Sequence, residues 1–332
     1  MRAVVCSSWG GPEVLSIGEL PEPECRPSQV LIRPHAWGIN YADLVLMSGS
    51  YHLKPAFPFA PGMEVAGEVV QVGAAISHFK PGDRVAAIVD HGGLADLVGA
   101  DETGVFRLPP GMDYPEGASF LVPYSTAYLG LVHRGQLRAG ESLLVLGAAG
   151  GVGLAAVVLG SRLNAAVIAV ASTPEKRDLA RRFGATSCID SSADRLREQV
   201  KDHTRGRGAD VIYDPVGGAS LDPLVRCLAF EGRLVVIGFA GGQIPQVSAG
   251  LILAKGCSVL GSSLTFTQQH RPAVLRVARD KLSGWHAQGR LPSLVTQVLP
   301  FEQAPRALAQ LAGRAAAGRI VLQRMGKAEK DV

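Results

Sequence analysis

The sequence predicts an α/β chain of two domains, one mostly β and one a doubly wound parallel sheet. Its 332 residues suit two domains at roughly 150 residues each. Up to about residue 121 the texture is short β-rich runs cut by Pro and Gly, and from Ser142 apolar strands alternate with helical stretches, the signature of βαβ units. Hydrophobic residues at 47% and charged residues at 19% exclude disorder, collagen-like repetition and coiled coil. Forty glycines against ten Phe point to tight turns and close backbone packing.

The first strand is read in MRAVVCSSWGG, and further ones in VLIRPHAWGI (30–39), EVAGEVVQVG (64–73) and DRVAAIVD (83–90), with PEPECRP (21–27) as a rigid loop. In the second domain, strands are expected at 142–147, 166–170, 187–190, 209–214, 232–238 and 257–262. Helices are expected at 151–163, 174–183, 193–203 and 218–229, with Pro174 in a first turn, where a missing N–H costs little. Beyond about residue 265 a long polar helix (268–288), a strand (294–299) and a helix in FEQAPRALAQLAGR (301–314) follow. The last strand, GRIVLQR (318–324), is apolar enough to return to the first domain, and MGKAEKDV reads as a frayed tail.

Lys and Arg number 33 against 29 acids, a net +4, with no basic–aromatic cluster to track a phosphate backbone, so nucleic acid is not the expected partner. Cys6, Cys25, Cys188, Cys227 and Cys257 are odd in number and scattered, which argues against a disulfide framework or a CxxC metal knuckle and for a reducing compartment. Arg162 and Asn164 interrupt the longest apolar run before it could span a bilayer, and the N-terminus lacks a signal-peptide pattern. A cytoplasmic protein is expected.

VLGAAGGVG (145–153) follows a strand and opens a helix, the context in which such a turn binds a dinucleotide. Ala149, Gly150, Gly151 and Val152 form the cradle: Gly150 lets backbone approach a pyrophosphate, Gly153 lets helix pack on strand, and free N–H groups meet the negative charge. Ala148 stands where the fingerprint's first Gly is usual. The bland alternative, a tight turn with no ligand, fits the following βαβαβ pattern less well. At the next strand end Ala171 replaces the acid that binds the ribose of NAD, while Ser172, Thr173, Lys176 and Arg177 can donate to a 2′-phosphate. NADPH is therefore expected over NADH. Lys176 and Arg177 are equally readable as a solvated helix face.

The chain resembles the medium-chain dehydrogenase/reductase superfamily, in its zinc-free quinone oxidoreductase (zeta-crystallin-like) branch. The resemblance covers nearly the whole chain and rests on NYADLVLMSGSY (40–51), PGMEVAGEVVQVG (61–73), PGDRVAA (81–87), VPYSTAYLGL (122–131), GESLLVLGAAGGVG (140–153), YDPVGG (213–218) and GRLVVIGFAGG (232–242). It implies a GroES-like catalytic domain from residues 1–121 and 266–332, a Rossmann domain over 122–265 inserted into it, and an active site in the cleft. The positions of the zinc ligands in related alcohol dehydrogenases correspond here to Asn40, Met63 and Val122, none of them Cys or His, with only Glu64 beside them. Residues 99–111 contain no Cys for a structural zinc lobe. No metal is therefore expected, and hydride delivery to a quinone or an α,β-unsaturated carbonyl needs none, because conjugation already delocalises the charge.

By the same resemblance, Asn40 and Tyr51 contact substrate and cofactor, and Asp43 acts in the same motif, more as a brace for the loop than as a proton carrier. Tyr51 is also readable as an ordinary half-buried aromatic. Thr126 is expected against the nicotinamide, with Gly238, Phe239 and Ala240 after a strand's carboxyl end. Two departures stand out: Met47 where the family often has Arg, and Ser191 where an aromatic is usual near the adenosine phosphate. Arg314 either reaches that phosphate or serves as a helix-end cation. His52 invites a proton-donor reading but reads better as a solvated loop residue. A homodimer through the edge strand near 257–262 is implied. The alternatives to a quinone or enone reductase are an enoyl-thioester reductase of the same superfamily and a non-catalytic NADPH-binding, RNA-associated protein. The acceptor itself stays open, because loops at 48–58 and 264–271 shape the pocket.

Overall fold

The computed structural model describes residues 1–192 and 195–324. Two compact units divide the chain, one comprising Met1–Val122 with the chain from Ser293 onward, the other Pro123–Pro292. In chain order, the first unit opens with β1 (Arg2–Cys6), β2 (Leu15–Glu19), β3 (Gln29–Gly38), α1 (Tyr41–Met47), β4 (Glu64–Val72), β5 (Arg84–Ile88), β6 (Val98–Asp101), β7 (Val105–Arg107) and α2 (Tyr114–Gly117). Helix α3 (Leu121–Tyr128) spans the boundary and runs into a π-helical turn at Leu129–Arg134. The second unit continues with β8 (Ser142–Val145), α4 (Gly151–Arg162), β9 (Ala166–Ala171), α5 (Pro174–Arg182), β10 (Ser187–Asp190), α6 (Leu196–His203), β11 (Ala209–Asp214), α7 (Asp222–Cys227), β12 (Leu228–Val236), α8 (Ala249–Lys255), β13 (Ser258–Gly261), α9 (Leu264–His270) and α10 (Pro272–Ala287). The first unit closes with β14 (Val295–Pro300), α11 (Ala304–Ala312) and β15 (Arg319–Gln323).

In the first unit the sheet runs β14-β15-β3-β4-β5-β7, with β6 also on β3. Only β14 and β15 are parallel. Pro34 sits inside the central strand β3 at little cost. On that strand's far side β6 pairs with residues 29–32 and β15 with residues 36–38, so the register leaves a gap where Pro34 owes no N–H. Trp37, Leu46, Met47, Phe59, Leu94 and Phe301 fill the core against these strands. GRIVLQR does return to this sheet, with Leu322 opposite Trp37.

The second unit is a parallel sheet in the order β10-β9-β8-β11-β12-β13. Its strand order reverses between β8 and β11, so the carboxyl ends of those strands flank the crevice where such sheets bind ligands. Helix α4 is buried continuously from Gly153 to Gly160, as its nearly uninterrupted apolar sequence requires.

Three expectations are corrected. The helix expected over 218–229 shrinks to α7, because Gly217 and Gly218 hold positive φ and residues 228–231 already belong to β12. The long helix over 268–288 is divided into α9 and α10, because Pro272 forces Arg271 out of helical geometry (φ −140°, ψ 53°). Residues 266–292, expected with the first domain, lie in the second unit, where the Tyr124 hydroxyl donates to Pro292 O at 2.7 Å and the Trp285 ring lies 6.0 Å from that of Tyr128. The tail 325–332 and the start of the helix expected at 193 lie outside the described residues.

Candidate active site

The first unit buries a closed polar cluster at the start of α1. Asn40 is the N-cap, and its backbone N–H donates to Asp43 Oδ2 at 2.8 Å. The Asn40 amide nitrogen donates to Gly38 O and to Glu64 Oε2, both at 3.3 Å. Arg319, at the first position of β15, donates to Asn40 Oδ1 at 2.8 Å, Ile39 O at 2.7 Å and Glu64 Oε2 at 2.6 Å. Because guanidinium only donates and carboxylate only accepts, these two neighbours fix the amide in one orientation. Both Asn40 N–H donors are thereby spent, and its side-chain oxygen accepts from Arg319 and, in the capping box, from the Asp43 backbone N–H. Register builds the cluster: Gly38 lies opposite Glu64 on one side and Val321 on the other. A Cβ on Gly38 would stand 1.9 Å from Ala118 O and 2.8 Å from Arg319 Nη2, so only glycine fits there.

Glu64 and Asp43 are both fully buried. Burial raises the Glu64 carboxyl and lowers Arg319, while each draws the other back toward its charged form. The Val122 N–H, 2.8 Å from Glu64 Oε1, adds a further donor that favours the charged carboxylate. Burial pushes Asp43 up to about 7 against the pull of the Asn40 N–H and the Arg319 charge.

These residues do not fit a zinc ion. The three ligand positions implied by the resemblance carry an amide, a thioether and an alkyl group, and the one neighbouring carboxylate is held by a guanidinium that would repel a dication. Among the described residues, no group of three His, Cys, Asp or Glu side chains could hold a metal ion. Arg319 escaped the reading of the sequence. Its signal was an Arg opening an otherwise apolar strand. Tyr51 is half-buried on the core with its ring 4.2 Å from that of the exposed His52, and Met47 is wholly buried. Arg314 is exposed just beyond α11, with φ +55° and its N–H on Leu311 O.

In the second unit the expected residues line one edge, at the carboxyl ends of the parallel strands. Ala149, Gly150, Gly151 and Val152 follow β8, and Ser172, Lys176 and Arg177 follow β9. Ser191 follows β10, and Gly238, Phe239 and Ala240 follow β12. Gly147 turns with φ +56°. A Cβ on Gly153 would meet Gly147 O at 2.2 Å, whereas one on Gly150 would only touch that oxygen at 3.4 Å. Gly150, the N-cap of α4, has no side chain with which to cap it, so the first-turn N–H groups lack a side-chain acceptor. Thr126 is buried in α3.

Asp214, closing β11, is fully buried and accepts from the Val216 and Gly217 N–H groups at 2.9 and 3.1 Å. It braces the loop beside the glycine turn, since a Cβ on Gly147 would lie 3.1 Å from Val216 and one on Gly217 would lie 3.0 Å from Phe239. Burial raises its carboxyl against those two N–H donors. Arg177 is tied to Asp190 at 2.7 Å, an acid that the sequence reading passed over although it closes the strand SCID.

Comparison with known proteins agrees with this architecture. Residues 26–110 match the alcohol dehydrogenase GroES-like domain and residues 151–279 the zinc-binding dehydrogenase family. The chain is 34% identical over 323 residues to quinone oxidoreductase-like protein 2 homolog of Nematostella vectensis, covering 97% of this chain and 88% of that protein. It is 34% identical over 322 residues to quinone oxidoreductase of Pseudomonas aeruginosa, covering 97% and 99%. The crystal structure of Escherichia coli quinone oxidoreductase complexed with NADPH superposes with a TM-score of 0.91 at 29% identity, covering 97% of this chain and 100% of that one. On relatives above 30% identity aligned along nearly its whole length, the chain belongs to the quinone oxidoreductase branch of the medium-chain dehydrogenase/reductase superfamily.

Proposed function

We propose that this oxidoreductase uses NADPH to deliver hydride to a quinone or an α,β-unsaturated carbonyl, with no metal ion taking part. The observation that carries the reading is the closed amide–carboxylate–guanidinium cluster of Asn40, Glu64 and Arg319, built around one of the positions implied for zinc ligands, Asn40. The nucleotide half rests on the uncapped start of α4 behind the glycine turn and on the relative from Escherichia coli, which was solved with NADPH.

When bound, NADPH supplies a hydride, which with one proton from water converts a quinone to a hydroquinone or an enone to its saturated ketone. The chain's own part is to bind and orient. The N–H groups of Gly151 and Val152 take the pyrophosphate, Gly238, Phe239, Ala240 and Thr126 line the nicotinamide end, and Lys176, Arg177 and Ser191 face the 2′-phosphate. Tyr51 covers the acceptor, and Asn40, held by Arg319 and Glu64, fixes the start of α1. A cytoplasmic homodimer joined through β13 belongs to the same reading. The exposed Phe230 and Leu253 near that edge support it.

The test is oxidation of NADPH, with NADH in parallel, against a panel of quinones, enones and enoyl thioesters. Turnover with quinones or simple enones is expected. Tight NADPH binding without consumption of any acceptor would replace the enzyme reading with a binding protein.

A further inference from the structure

Arg177 lies in the first turn of α5 and folds back to the end of the preceding strand. Its Nη1 donates to Ala171 O at 3.1 Å and to Asp190 Oδ2 at 2.7 Å. Asp190 closes β10, the neighbour of β9, and its other oxygen accepts the Ser192 N–H at 2.9 Å and the Ser192 hydroxyl at 2.7 Å. The Ser192 donors and Arg177 hold that carboxyl below its ordinary range, so it is charged at neutral pH. One carboxylate therefore ties two adjacent strand ends and one guanidinium together.

In doubly wound sheets an acid at the second strand's end takes the ribose hydroxyls, or an Arg nearby accommodates a 2′-phosphate. Here the second strand, β9, ends in Ala171, and the acid next door is spent on Arg177, which reaches back to that strand end. A 2′-phosphate arriving at this edge has to share Arg177 with a carboxylate and approach that carboxylate's own charge.

We propose that Asp190 is a specificity-determining residue for the dinucleotide, tempering the preference for the 2′-phosphorylated form by holding Arg177 in an ion pair. The inference rests on reading this edge as the nucleotide site.

Asp190→Asn tests it in the full chain. The amide oxygen still accepts from Ser192, which keeps the turn, while the amide nitrogen faces Arg177 donor to donor and releases it. With one acceptor and both nucleotides, kcat/KM for NADPH over that for NADH is expected to rise about fivefold, the upper range for an exposed charge pair. The gain should lie in KM and in the Kd of NADPH, leave NADH unchanged, and shrink at high salt. Arg177→Gln should move the ratio the other way. An unmoved or lower ratio in Asp190→Asn, or an equal loss for both nucleotides, overturns the inference while leaving the nucleotide site standing. Wild-type protein that binds neither nucleotide removes the site and the inference together.

Discussion

Asp43 illustrates how a residue's place changes its chemistry. It caps α1 from full burial, and its carboxyl is pushed from 3.8 to about 7. Between those values the native chain keeps a proton that the unfolded chain releases. The stability contributed is thus fully present below about pH 4 and lost as pH rises through about 7. Asp43→Asn keeps an acceptor for the Asn40 N–H and abolishes the titration. Urea unfolding at pH 4.5 and 7.5 should show the wild type losing about 2–4 kcal/mol more than the variant between the two, at ~1.4 kcal/mol per pKa unit. Equal pH dependence in both proteins would rule out the buried titration. Asn40 was legible in the sequence as a site residue, through its motif. That its two donors are consumed was not, because this depends on Glu64 and Gly38 meeting the same amide.

Among the elements, the glycine turn between β8 and α4 separates what the fold needs from what a ligand needs. Gly153→Ala drives a Cβ into Gly147 O at 2.2 Å, so helix and strand must part, at about 1–3 kcal/mol. Gly150→Ala places its Cβ 3.4 Å from the same oxygen, at a φ of −81° open to any residue, so it should unfold with the wild type to within about 0.5 kcal/mol. Its NADPH affinity should nevertheless fall at least about tenfold if phosphate must approach that backbone, a loss of ~1.4 kcal/mol. Thermal unfolding and fluorescence titration of both variants check this, and undiminished NADPH affinity in Gly150→Ala would count against the pyrophosphate placement. The parallel strands were legible because apolar runs closed by Gly or Asp encode them locally. The break between α9 and α10 was equally local, in Arg271–Pro272, yet the polar periodicity across it masked the stop.

For the whole molecule, the first unit is assembled from both ends of the chain, and β15 brings Arg319 to a pocket begun by β3 and β4. A guanidinium built into the fold cannot be removed by chelation. Dialysis against EDTA is expected to leave turnover of NADPH and quinone unchanged, with less than about 0.1 zinc per chain by elemental analysis, since a built zinc site would hold its metal at high affinity. Activity abolished by the chelator and restored by zinc would refute the metal-free reaction.

By itself the sequence determined the succession of strands and helices, the glycine turn and the family, because periodicity, Pro, Gly and short motifs are properties of neighbouring residues. Tertiary structure alone decided that Arg319 pairs with Glu64 across 255 positions and with Asn40 across 279, and that Arg177 belongs to Asp190. The physical reason is that a charge buried away from water stands only where strand register delivers its partner, and register is settled by the packing of the whole sheet.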